Sequence, residues 1–97
     1  MMTYVVLVNF TDQGIRNARD TIKRSDAFKE MAKKFGVNVK EMFWTQGQHD
    51  IVLITEAPDD ITGTALNFSL CALGNVRTQS LRAFSAAEMK GILAKMT

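Results

Sequence analysis

The residues of this chain best equipped for chemistry gather between positions 44 and 50 and on one later segment. His49 and Asp50 stand together after Gly47-Gln48, and Trp44 precedes them. Adjacent residues in extended conformation point to opposite faces, so His49 and Asp50 do not form an acid/base dyad with each other. A histidine at a loop end serves either as a general base or ligand, or as a local hydrogen-bond partner. An aspartate beside a glycine turn either contacts a ligand or accepts backbone N–H groups and fixes the turn. Trp44 can stack on a flat ligand or pack in a core or interface. Arg77 and Arg82 lie five apart and so face opposite sides of a strand. One of them is placed to take a carboxylate or enolate, or both guard a sheet edge. His49 and Arg82 are thus the candidate catalytic residues, and Trp44, His49, Asp50 and Arg77 the candidate ligand-binding set.

Other chemistries lack their residues. One His and one Cys, far apart, leave only carboxylates for a metal site, so neither metal nor cofactor is expected. No P-loop, G-x-G-x-x-G or G-x-S-x-G is present. Cys71, within Leu70-Cys71-Ala72-Leu73, has no activating neighbour in sequence and reads as a small core hydrophobe. Thr11-Asp12-Gln13-Gly14 opens a helix, where free N–H groups either hold an anion or are simply capped.

The elements that must position these residues follow from patterning. Thr3 to Phe10 is a β-branched and aromatic run, apolar on both faces, as expected of a central strand. Apolar residues at Ile15, Ala18, Ile22, Phe28, Met31, Ala32 and Phe35 predict a helix over 12–35, stopped by Gly36. Seven of the twelve cations fall in this stretch, but Asp12/Arg16, Asp20/Arg24 and Glu30/Lys34 are spaced for i,i+4 ion pairs on a solvated face. That balance argues against a phosphate-binding stripe. Residues 37–45 and 50–56 predict a hairpin joined through Gly47, its second strand again apolar on both faces.

Pro58-Asp59-Asp60 predicts the start of a second helix ending at Gly74-Asn75, so apolar that burial on more than one face is expected. Residues 76–84 read as a last strand, and Ser85 with Glu88 as a capping box for a short helix over 86–95. The order is that of the α+β, ferredoxin-like βαββαβ fold, a four-stranded antiparallel sheet with two helices on one face, plus a short C-terminal helix.

Composition agrees. Ninety-seven residues, 46% hydrophobic and 23% charged with net charge +2, describe one domain spanning 1–97. Its folded surface should be roughly 5,500 Å². No apolar run approaches a membrane span, Met1-Met2-Thr3 does not open like a signal peptide, and the lone cysteine forms no intrachain disulfide, so a cytoplasmic protein is expected. Ile51-Val52-Leu53-Ile54 lacks the aromatic platform of RNA-binding sheets, which argues against nucleic acid. Two helices cover only one face of the sheet. The apolar residues of the other face predict a homodimer packed sheet to sheet, with the second helix available for higher assembly.

Gly47-Gln48-His49-Asp50, Ala57-Pro58-Asp59-Asp60, Gly74-Asn75-Val76-Arg77-Thr78 and Leu81-Arg82-Ala83-Phe84 resemble the GYD domain family, named for a G-x-Y-D motif. Thr11 to Gly14 followed by Ile15 resembles its first strand-to-helix junction, so the likeness spans almost the whole chain. It implies a ferredoxin-like protein assembled as a dimeric α/β barrel, of undefined function. His49 stands where the family usually has Tyr. The expected function is a homo-oligomeric small-molecule-binding or regulatory module; the alternative is a cofactor-independent enzyme of the dimeric α/β barrel type, monooxygenase- or isomerase-like, with His49, Trp44 or Arg82 in a cavity between sheet and helices.

Overall fold

The computed structural model describes all residues, 1–97. Its elements are β1 (Met2–Phe10), α1 (Asp12–Arg16), a 3₁₀ turn (Ala18–Asp20), α2 (Thr21–Lys34), β2 (Asn38–Trp44), β3 (Ile51–Ala57), α3 (Asp60–Ala72), β4 (Val76–Ala83) and α4 (Ala86–Lys95). The four strands form one antiparallel sheet in the order β2-β3-β1-β4. The two strands that are apolar on both faces, β1 and β3, therefore lie at the centre, and Arg77 and Arg82 lie on an edge strand.

Strand alternation divides the sheet cleanly. Val6 and Val8 of β1 and Ile51, Leu53 and Ala57 of β3 are buried, together with Phe28 and Ala32 of α2 and Leu66 of α3. On the opposite side, cross-strand pairs Val5↔Ile54, Leu7↔Val52, Phe43↔Val52 and Val5↔Leu81 form one continuous apolar patch. No element of this chain covers that patch: Phe43 is 56% exposed and Leu81 44%.

The predicted helix over 12–35 is broken. Before the break, Gly14 lets the first turn lie against the α3–β4 loop, since a Cβ there would fall 1.9 Å from the Asn75 carbonyl oxygen. Thr11 ties the same place, donating from its hydroxyl to the Gly74 carbonyl at 2.6 Å and from its N–H to Asn75 O at 3.0 Å. Asn17 caps the end of α1, and after the 3₁₀ turn α2 starts at Thr21. Ile15 and Ile22, two of the apolar positions that predicted that helix, are 55% and 64% exposed.

The ion-pair pattern changes with it. Of the three i,i+4 pairs none forms; Glu30 takes Lys33 instead, at 3.3 Å. Arg24 turns to the freed carbonyls at the break, donating to Asn17 O at 2.7 Å and Gly14 O at 3.3 Å. The expectation that α3 is buried on more than one face also fails within this chain. Only Leu66 is buried, while Ile61 and Phe68 are 80% and 74% exposed, and the C-cap Leu73 59%.

A bulge between Val39 and Glu41 interrupts the β2–β3 register around Lys40. The capping box at Ser85 and Glu88 is complete, and no residue of α4 is buried. No helix is long and apolar enough to cross a membrane.

Candidate functional site

Two places at one end of the sheet draw together the chemically able residues. The first is the tip of the β2–β3 hairpin. Gly47 makes the turn with φ of +105°, a conformation that side chains resist. Thr45 N–H donates to Asp50 O at 2.8 Å and the Thr45 hydroxyl to His49 O at 2.6 Å, which closes the loop.

The tip is then stitched to the end of β1. Asp50 N–H donates to Val8 O at 2.9 Å, and Phe10 N–H donates to Asp50 Oδ2 at 2.8 Å. The Asp50 carboxylate thus satisfies a backbone donor where the β1 ladder ends. Asn9 uses both ends of its amide: Nδ2 donates to Gln48 O at 2.9 Å, and Oδ1 lies 2.8 Å from His49 Nδ1. With Nδ2 committed to a carbonyl, Oδ1 must accept, so the proton of a neutral His49 sits on Nδ1 and the Nε2 lone pair is left free. Trp44 spans from β2 to the start of α2, donating from Nε1 to Thr21 Oγ1 at 3.0 Å.

The second place is a pocket of about 120 Å³ between the sheet and the start of α2. Phe10, Phe28, Met31, Met42, Leu70 and Val76 supply much of its apolar wall, and Thr21, Arg24, Ser25 and Asn75 its polar atoms. None of His49, Asp50, Trp44, Arg77 and Arg82 lines it. The residue missed in the sequence is Arg24, whose i,i+4 spacing to Asp20 placed it on an outer ion-paired face.

The two arginines of β4 part company. Arg77, opposite Asn9, borders an open groove between α3 and β4 shared with Phe68, Cys71 and Thr78. Cys71 is half-buried, its Sγ 3.5 Å from Thr78 Oγ1. Arg82, opposite Tyr4, is spent within the chain: Nη2 meets Glu88 Oε2 at 3.1 Å, Nη1 donates to Ala83 O, and the guanidinium stacks 4.6 Å over Phe84. The Ser85 N–H and the Arg82 guanidinium hold the Glu88 carboxyl below its ordinary value of 4.5. At the opening of α3 the Thr62 N–H does the same for Asp59, the N-cap. No group of three or more His, Cys, Asp or Glu side chains is placed to share a metal ion.

These features define a ferredoxin-like α+β domain with one apolar sheet face uncovered and a ligand-sized pocket under the other. The chain belongs to the GYD domain family, whose model matches residues 4–93. It is 31% identical over 93 residues to the "Glutamine synthetase and cystathionine beta-lyase binding protein" of Thermus thermophilus, covering 92% of this chain and 95% of that one. Among solved structures, TTHA0845 from Thermus thermophilus superposes with a TM-score of 0.64 at 23% identity, over 89% of this chain and 96% of that one. The leucine response regulatory protein LrpA of Mycobacterium tuberculosis superposes at 0.59 with 14% identity, over 88% of this chain and 51% of that one. Both likenesses are of fold.

Proposed function

We propose that this chain is a homo-oligomeric regulatory module, paired through its open sheet face, that binds small molecules and partner proteins. The observation carrying the reading is the continuous patch of Val5, Leu7, Phe43, Val52, Ile54 and Leu81 on a face that no element of the chain covers. Covering a large aliphatic side chain is worth about 1.5–3 kcal/mol, and a second copy offers the same patch in self-complementary form. Supporting it, the accessible surface of 6,651 Å² is about a fifth more than the roughly 5,500 Å² expected of a self-contained chain this size. The name of the Thermus relative, which says that it binds two enzymes, supports protein partners. The enzyme alternative draws less support, because the pocket wall carries no His, Cys, Asp or Glu to act as a general base.

Light scattering coupled to size exclusion tests the pairing. The expected mass at micromolar concentration is at least twice that of one chain. Phe43→Lys with Leu81→Lys, both on edge strands and already exposed, should return a folded single chain. A single-chain mass for the unaltered protein overturns the reading.

A further inference from the structure

We propose that the pocket beside the break between α1 and α2 binds a small apolar monocarboxylate, with Arg24 taking the carboxylate and a tail of about five or six carbons filling the pocket. The proposal deepens the binding-module reading and rests on it. Size sets the tail: an apolar cavity of roughly 150 Å³ holds a benzene molecule, and this one measures about 120 Å³. Eleven of the fifteen lining residues are hydrophobic.

The polar atoms set the head group. The Thr21 hydroxyl oxygen accepts from Trp44, Ser25 donates to Ile22 O at 2.7 Å, and Asn75 Oδ1 accepts from Gln13 Nε2 at 2.9 Å, which leaves the Thr21 O–H and the Asn75 amide N–H groups as neutral donors. Arg24 is the one charged group of the lining. Two of its N–H groups hold the carbonyls of Gly14 and Asn17, which fixes the guanidinium at the pocket while its remaining donors stay uncommitted. It also lies 5.9 Å from the centre of the Phe10 ring, another lining residue. One pre-positioned guanidinium matches one carboxylate. No carboxylate lines the pocket to receive an ammonium group, so an acid without an amine fits better than an amino acid of the same length.

The test is calorimetric titration of the full chain with hexanoate, 1-hexanol, norleucine and acetate. Hexanoate should bind at least about tenfold more tightly than 1-hexanol or norleucine, a ratio expected of a charge-assisted hydrogen bond, and acetate should not bind measurably. Arg24→Met should abolish the preference for hexanoate over 1-hexanol. Ala27→Trp, at an exposed position on the pocket wall, should block both. Should circular dichroism show Arg24→Met unfolded, Arg24→Lys, which keeps the charge without the planar fork, should lose most of the preference. No binding of hexanoate, equal binding of 1-hexanol, a preference that survives loss of the guanidinium, or indifference to Ala27→Trp would each overturn the proposal. Light scattering on the same samples keeps the two readings apart. An oligomer that ignores hexanoate defeats the ligand site alone, and a monomer that binds it defeats the pairing alone.

Discussion

The two faces of the sheet are built from nearly the same residue types and meet opposite fates. On one side of β1, Val6 and Val8 retain 3% and 2% exposure beneath the helices. On the other side Val5 and Leu7, their immediate neighbours in sequence, stay half-exposed. A strand cannot signal which of its faces a helix covers, because the side-chain period of two treats both alike. The difference comes from where the chain runs next, and both crossovers place their helices on the same side.

The largest effect that would sharpen this contrast is Leu53→Ala on the covered face against Leu7→Ala on the open one. Leu53, 3% exposed, should cost about 2–5 kcal/mol in urea denaturation, including the cavity left behind. Leu7→Ala should cost much less, measured at the lowest protein concentration the signal allows. Equal costs at that concentration would mean that the faces are equally covered and would break the comparison.

Next in size is Gly14→Ala, which asks how the covering layer is held in place. A methyl group aimed at the Asn75 carbonyl must push the start of α1 off the α3–β4 loop, at about 1–3 kcal/mol. Thermal denaturation measures the loss. Amide shifts at residues 74–76 and 11–14, with little change on the open face, would locate it.

The smallest effect lies off both faces, at α4. Glu88 titrates below its ordinary 4.5 in the folded chain, so its contribution is fully present above that value and fades as pH falls through the lowered folded value. Carboxyl NMR should show Glu88 titrating below an unstructured glutamate, with the α4 amide shifts following it. Glu88→Gln should remove that dependence without altering either sheet face.

What was legible in sequence follows the same line between local and remote causes. The element order, the hairpin at Gly47 and the capping box at Ser85 rest on neighbours within a few residues, and residues close in sequence announce them. The demand for glycine at position 14 does not: it is set by the Asn75 carbonyl, brought there only by the fold. Arg24 was hidden for the same reason, since its partners are backbone carbonyls that the break sets free. The pocket has no sequence signature at all, because its lining comes from both central strands, both edge strands, α2, α3 and the α3–β4 loop. Among the candidate residues, the Asp50 carboxylate accepts a backbone N–H not from its own turn but from Phe10 on β1, and the carboxylate that Arg82 engages belongs to its own chain.

The bulge at Lys40 limits how such a molecule can be extended. β2 is an edge strand, and an edge with regular spacing would serve as a template for strand after strand of neighbouring copies. Here the ladder loses register midway, and the exposed Lys40 ammonium, 3.8 Å from Glu56, stands at the break. A strand arriving from outside would have to match a kinked partner beside an ion-paired lysine. Strand addition along this edge is therefore disfavoured at the bulge, whatever covers the sheet face.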